Sequence, residues 1–315
     1  MTGINVKVFG GAGFVGNHLV KKLLSEGHNV TVFDLKKPRI LGSGVSDPTG
    51  SGPSWYNAVK FIGGDITDDR QVYYAIDRGD HVVNLAAVAQ FAQAEDQFHI
   101  AAAVNAVGTA NVLKACMENK AAHLVYASTG SVYSKDAHIP IDEGQDIADP
   151  PRNSVYGMTK TWAEDLLYHY YNKMPLATLR FPHIVGPGKF WGANTIIAKL
   201  LANERPVIFG DGSARNEFTY VADVVQAVEL AIKKQARGVY NIGTGKSRST
   251  MDFFRLARMA CDKMHIEPIF APPRGVDFRV FEYDISKARK ELGYNPQFSL
   301  EDAVQRTVLE WSQWL

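Results

Sequence analysis

Seven residues near the start of the chain, Gly10-Gly11-Ala12-Gly13-Phe14-Val15-Gly16, constrain the fold more than any other stretch. They follow an apolar run of strand length, Ile4–Phe9, and open a helical pattern that continues to about Glu26. Glycines at 10, 13 and 16 suit a tight turn, a close approach of backbone to a pyrophosphate, and close packing of helix on strand. The helix N-terminus then offers N–H groups and its dipole to phosphate. A second apolar run, Val30–Phe33, ends at Asp34. A carboxylate there accepts both ribose hydroxyls and repels a 2′-phosphate, which favours NAD over NADP. Lys36 and Lys37 stand nearby and pull weakly the other way. A glycine turn alone is common; its place between a strand and a helix, with Asp34 after the next strand, gives the motif its weight.

The rest of the first half repeats the same alternation. Apolar runs at Val59–Ile62, His81–Leu85, His123–Ala127 and Leu176–Phe181 are separated by helical patterns, notably 96–119 and 155–173. Alternation of this kind predicts an α/β fold with a Rossmann-type doubly wound parallel sheet. Residues 36–58 are rich in Lys, Gly, Ser and Pro and read as a surface loop. Beyond Pro182 the segments shorten and Gly and Pro become more frequent. We therefore divide the chain into an NAD-binding domain, 1–181, and a smaller C-terminal substrate-binding α/β lobe, 182–315, with some segments returning to the main sheet. Two further spots fit the cofactor cleft. Asp65-Ile66 follows the third strand, where a carboxylate can accept the adenine amine, and Leu85-Ala86-Ala87 lets a ligand lie against the backbone. Either is equally ordinary turn or packing chemistry.

A formal net charge of +1 gives no reason to expect nucleic acid or an anionic membrane as partner. No apolar run approaches the eighteen or so residues that suggest a membrane span. Two cysteines, Cys116 and Cys261, make neither a disulfide framework nor a metal-ligand spacing, so no metal is expected. A cytoplasmic protein is the expectation.

Tyr156-Gly157-Met158-Thr159-Lys160 places a phenol and an ammonium on one helix face, at i and i+4. Tyrosine titrates near pH ~10, and a neighbouring cation favours its phenolate. Such pairs arise by chance, but here Ser128-Thr129-Gly130-Ser131 falls at the end of the fifth strand, the edge where parallel sheets bind ligands. The plain alternative is that these hydroxyls cap a strand and form a turn.

Taken together, these residues resemble the extended short-chain dehydrogenase/reductase family, in particular its NAD-dependent nucleotide-sugar epimerases and dehydratases of the UDP-glucose 4-epimerase type. The resemblance covers nearly the whole chain. It continues through Asn105 with Gly108-Thr109-Ala110-Asn111, Leu179-Arg180, Gly186-Pro187-Gly188, and Gly210-Asp211-Gly212 with Arg215, Phe218, Val221 and Asp223. It ends with Asn241-Ile242-Gly243, Arg274, Asp284-Ile285-Ser286-Lys287-Ala288 and Leu292-Gly293-Tyr294. It implies Tyr156 as the base that takes a proton from a sugar hydroxyl while hydride passes to NAD. Lys160 would hold the nicotinamide ribose, and Thr129 would bond the reacting oxygen. An epimerase inverts C4 of a UDP-hexose or UDP-hexuronate through a transient 4-keto intermediate, without consuming NAD. The resemblance places Asn105 in the cofactor site and Arg215 and Arg274 on the diphosphate of a nucleotide sugar. It sets Ser131, His183, Phe190, Trp191 and Asn194 around the sugar. It also implies a homodimer built on the helices at 96–119 and 155–173.

Two departures bear on the reaction. The dehydratases carry Asp-Glu after the strand-five threonine, where this chain has Gly130-Ser131, which argues against water loss. His183 stands where many members have asparagine. That histidine also resembles the sterol 3β-dehydrogenase branch, so a net oxidoreductase, acting on a sterol hydroxyl or a keto-sugar, is the alternative reading. A non-catalytic NAD-binding regulator is the third, against which the intact Tyr156, Lys160 and Thr129 stand.

Overall fold

The computed structural model describes residues 3–37, 59–145, 154–188, 191–274 and 280–312. The expected loop therefore lies largely outside the described residues, as does Phe190. Seven strands form one parallel sheet: β1 (Asn5–Phe9), β2 (Asn29–Asp34), β3 (Lys60–Gly63), β4 (His81–Asn84), β5 (His123–Thr129), β6 (Leu176–Phe181) and β10 (Gly238–Asn241). Their spatial order is β10-β6-β5-β4-β1-β2-β3. The order reverses between β1 and β4, and ligands of doubly wound sheets bind at that crevice, beyond the carboxyl ends of the strands.

The strands are apolar because helices cover both faces: Val6, Val8, Val82, Val83 and Leu124 are all fully buried. On one face Leu19, Val20 and Leu23 of α1 (Phe14–Ser25) pack with Val224, Val228 and Ile232 of a later helix, Val221–Lys234. On the other lie α2 (Asp69–Ala75), the helix Gly108–Glu118 and the helix Val155–Tyr168. The second cluster joins Phe218, Phe253, Phe254, Val304 and Trp311 in the C-terminal half, beside the small sheet of β7 (His183–Val185), β9 (Arg215–Tyr220) and β11 (Ser247–Ser249).

Several expectations shift. The helix at 96–119 is three pieces, Phe91–Asp96, Phe98–Ala102 and Gly108–Glu118, with a π-helical turn, Ala103–Val107, between the last two. Its stretch from Phe98 to Glu118 is long and apolar enough by composition to cross a membrane, contrary to the sequence reading. That composition is explained by its packing: Val112, Leu113, Ala115 and Cys116 are buried in the sheet-facing cluster. The helix at 155–173 stops at Tyr168. The short helix α2 had no counterpart in the sequence reading; Asp68 caps it, accepting the N–H groups of Arg70 and Gln71.

At the amino edge of the sheet, away from the crevice, His123 is fully buried and its Nε2 lies 2.8 Å from the Ala236 carbonyl oxygen. Burial pulls its pKa down to about 4. An unfolded histidine takes a proton near pH 6.5, so between those values the unfolded chain binds more protons and stability falls as pH falls. The contribution is full above about pH 6.5 and amounts to about 3 kcal/mol across the window. Urea unfolding at pH 7.5 and 5.0 should show about 2 kcal/mol of this loss, and His123→Gln should reduce the difference. An equally steep difference in the variant would reject the assignment.

Candidate active site

The turn after β1 sits over the switch point. Gly10 has φ of +76°, and a Cβ there would lie 2.6 Å from the Ala86 backbone nitrogen. At Gly16 a Cβ would lie 2.4 Å from the Gly10 carbonyl oxygen. Both obstacles are backbone, so the cradle tolerates glycine alone at these points. Helix α1 starts at Phe14 behind Gly13 with no side-chain cap and no acid in its first turn. Phe14 and Val15 thus lie in the first turn of the helix, the end that favours a phosphate. Asp34 closes the other side: its Oδ2 accepts the Ala12 N–H at 3.0 Å, and burial raises its pKa against the lowering effect of that N–H. This uncapped glycine cradle with a carboxylate at the next strand end fits a dinucleotide. Asp34→Ser should weaken NAD binding about ten- to hundredfold, the worth of lost charged hydrogen bonds. It should narrow the preference over NADP; an unchanged preference by calorimetry would remove Asp34 from the ribose.

The other cofactor candidates are held in different ways. Leu85 continues the sheet through its N–H to Phe9, and the Asn84 side chain accepts the Ala86 N–H, so Leu85, Ala86 and Ala87 line the turn opposite Gly10. Asp65 folds a turn on Thr67 through two bonds of 2.9 and 2.8 Å, and Ile66 is buried beneath Gly108. Asn105 is fully buried in the π-helical turn, with its side chain on the Val88 N–H and carbonyl and on Thr159 Oγ1. It therefore ties the segment after β4 to the catalytic helix, standing behind the site.

That helix, α6 (Val155–Tyr168, the sixth in chain order when Phe91–Asp96, Phe98–Ala102 and Gly108–Glu118 are α3, α4 and α5), begins at Ser154, whose Oγ accepts the Gly157 N–H. It carries Tyr156 and Lys160 one turn apart. Burial pushes the Tyr156 phenol up to about 12, and a hydrogen bond with Thr129 lowers it. Burial pulls Lys160 down to about 7 while Glu164 raises it, and the ammonium lies 4.3 Å over the Tyr126 ring. Without cofactor this pair is poised toward neutral phenol and neutral amine, so phenolate at neutral pH requires added positive charge beside it. Thr129 ends β5, and its Oγ1 accepts the Ser131 N–H at 3.2 Å. A Cβ at Gly130 would lie 2.2 Å from the Phe281 ring and 2.8 Å from the Tyr283 hydroxyl. A side chain at that position would have to displace the buried Phe281 and Tyr283 rings, so packing disfavours an acid there.

The substrate candidates do not all converge. His183 pairs with Phe218 across β7 and β9, with ring centroids 5.8 Å apart. Arg215 donates to the Ser247 carbonyl at 2.6 Å, and strand alternation sets it on the face of β9 opposite Phe218. Arg274 lies 4.5 Å over the Phe209 ring. Asn194 is fully buried and holds the Gly186 N–H and the Ile184 carbonyl, so it shapes the loop before Pro187. Trp191 lies three residues before it in the chain. Glu217, buried in β9, accepts N–H groups of Thr244, Gly245 and Tyr283 and so holds the Phe281–Tyr283 segment against β9.

Sequence reasoning missed the network beside Tyr156 and Lys160. Arg180 donates to Glu164 at 2.6 Å and twice at 3.1 Å, and to the Tyr133 hydroxyl at 2.7 Å. Tyr133 in turn donates to Asn241. The one sequence signal was the spacing of Glu164, a further i+4 beyond Lys160.

A dinucleotide cradle at a switch point, with a Tyr/Lys pair and a strand-end threonine beside it, defines an oxidoreductase-type site on a Rossmann fold. The family model described as the NAD dependent epimerase/dehydratase family matches residues 6–243, and the chain belongs to that family. It is 32% identical over 313 residues to a UDP-glucose 4-epimerase of Mycolicibacterium smegmatis, covering 96% of each chain. Among solved structures it resembles the UDP-glucose 4-epimerase of Thermotoga maritima with UDP-glucose, at 28% identity and a TM-score of 0.86, covering 98% of this chain and 99% of that one. The UDP-glucuronic acid 4-epimerase of Bacillus cereus, in a complex with NAD, is 25% identical with a TM-score of 0.82 and the same coverage.

Proposed function

We propose that this protein is an NAD-dependent nucleotide-sugar epimerase that inverts C4 of a UDP-hexose or UDP-hexuronate through a transient 4-keto sugar. The observation that carries the reading is the strand-end arrangement of Thr129, Gly130, Tyr156 and Lys160. It supplies one proton-handling group, Tyr156, and Phe281 and Tyr283 close the place where a dehydratase has its acid. Both the relatives named above and the family point the same way.

Gly10, Gly13, Phe14, Val15, Gly16, Asp34, Asp65, Ile66 and the Leu85-Ala86-Ala87 turn hold NAD, with Lys160 on the nicotinamide ribose and Asn105 fixing the wall behind it. NAD supplies a reversible hydride acceptor at the crevice. Tyr156 Oη takes the C4 hydroxyl proton while Thr129 bonds the same oxygen, and Tyr156 returns the proton after the keto-sugar has turned over. Lys160 holds positive charge beside the phenolate. Ser131, His183 and Asn194 border the sugar, and Arg274 binds the diphosphate together with Arg215 once it leaves Ser247. The lobe from residue 182 thus carries the substrate and 1–181 the cofactor.

Purified protein with NAD and a panel of UDP-glucose, UDP-glucuronate and UDP-N-acetylglucosamine should give a new anomeric proton signal without stoichiometric NADH. NADH accumulating in step with substrate loss would replace the epimerase with a net oxidoreductase.

We further propose a cytoplasmic homodimer. Phe98, Val107, Trp162 and Tyr168 are 62%, 53%, 45% and 72% exposed on the helices at 98–118 and 155–168, an apolar surface suited to a second copy. Light scattering should give twice the chain mass, and Trp162→Glu should shift it to the monomer; a monomeric parent protein would end this part of the proposal.

A further inference from the structure

The face of α6 that carries Tyr156 and Lys160 carries a third group one turn on. Glu164 is 3% exposed, and two neighbours fix it. Arg180 of β6 grips both its oxygens, and Ser128 of β5 donates its hydroxyl to Oε1. Arg180 is itself stacked on the Tyr133 ring at 4.7 Å and bonded to its hydroxyl. Asn241 of β10 accepts from Tyr133, donates to the Ile141 carbonyl, and has its own N–H on Glu143. The carboxylate is therefore locked to the ends of three strands.

Two of its contacts lead to the reacting atoms. Ser128 is adjacent to Thr129, with its side chain on the opposite face of β5, so the bond from Ser128 to Glu164 fixes the strand end from which Thr129 projects. Lys160 lies on the same face as Ser128, over Tyr126. Glu164 raises the Lys160 pKa against the lowering effect of burial. The other titratable groups around it are Tyr126 from β5 and Tyr156 from its own helix. The π-helical turn packed on α6 offers Asn105, which is neutral. The helix Phe91–Asp96 places Glu95 on the Val155 N–H at the far start of α6, and His99 of the helix Phe98–Ala102 is exposed.

We propose that Glu164 is a positioning residue for proton transfer at Tyr156, acting through the buried charge it holds beside Lys160 and through its grip on the strand end that bears Thr129. The inference rests on the assignment of Tyr156 and Lys160 given above. Arg180 serves to fix the carboxylate in place: a buried acid without such a partner takes up a proton and loses its charge. Glu164 is thus a fixed negative charge one helical turn from the lysine, held in place by Arg180.

The test is a pH titration of Lys160 by 13C NMR of lysines labelled at Cε in cofactor-free protein, with Lys160→Met identifying the resonance. The parent midpoint lies near 7, where burial and Glu164 balance. Glu164→Gln should move that midpoint down by about one unit or more. Glu164→Asp should restore it in part, because the charge returns. Glu164→Gln leaves Arg180 buried and unpaired, so the double variant Glu164→Gln/Arg180→Gln is measured beside it, with both charges removed. Arg180 repels the Lys160 ammonium, so removing it as well returns part of the shift, and the double variant should show a smaller downward shift than Glu164→Gln. In turnover, the alkaline limb of the kcat profile should move down with the NMR midpoint while KM changes less. A Lys160 midpoint unchanged in a folded Gln variant, single or double, overturns the proposal. The NMR readout needs neither NAD nor sugar, so failure of the epimerase reading would leave it intact and be seen separately in the anomeric signals.

Discussion

Tyr156→Phe should retain NAD binding and lose turnover by about 10²- to 10⁴-fold, the usual worth of a positioned proton-transfer group. The substitution removes one oxygen from a side chain whose ring lies 5.7 Å from Phe91 and is held by packing, so the fold and the cofactor crevice should persist. The effect should fall on kcat, since the phenol acts only as the hydroxyl proton moves. Titration of NAD by calorimetry and the anomeric NMR assay separate the two readouts. Full turnover in a folded Tyr156→Phe protein would assign the base to another group, and the mechanism would have to be rebuilt around it.

Gly10→Ala should do the reverse, striking the cofactor before the chemistry. The new methyl would stand 2.6 to 2.8 Å from the backbone of Leu85 and Ala86, and φ of +76° adds about 1–3 kcal/mol of conformational strain. Neither Leu85 nor Ala86 can turn aside, because each is tied by its N–H to Phe9 or Asn84. The turn must therefore open, moving the first N–H groups of α1 out of register with a pyrophosphate. We expect a melting temperature lower by several degrees and NAD affinity reduced more than tenfold. A variant that bound NAD as the parent does would show that the cradle takes no part in holding the phosphates.

Most of what was legible in the sequence is local. The strand Leu176–Phe181 is buried along its full length, and its apolar run gave its bounds directly. The turn at Gly10–Gly16, the acid at Asp34 and the Tyr156/Lys160 spacing each lie within a few residues, where periodicity and motif speak. The break in the helix at 96–119 is different. Ala and Val continue through Ala103–Val107, and nothing in their pattern marks the π-helical turn that seats Asn105 on Thr159. Helix α2 is only seven residues long, too short for a period to show. Arg215 looked free for a phosphate because sequence does not reveal which face of β9 it occupies or that Ser247 is waiting there. The contacts of Arg180, Tyr133 and Asn241 join residues 47 and 108 positions apart. Only the packed sheet brings them together.

The segment Phe281–Tyr283 has a bearing on modularity. It comes after the stretch that the family model matches, residues 6–243, yet it forms the wall against Gly130, and Glu217 anchors it. The late segment is therefore packed into the end of β5 and not appended to it. Lobe exchange between relatives, the natural way to graft a new sugar preference, would have to carry this segment and the residue facing Gly130 as a matched set. A chimera joined near residue 182 inherits the end of β5 from one parent and the wall against it from the other. Its success should depend less on the sugar pocket than on whether those two surfaces were shaped for each other.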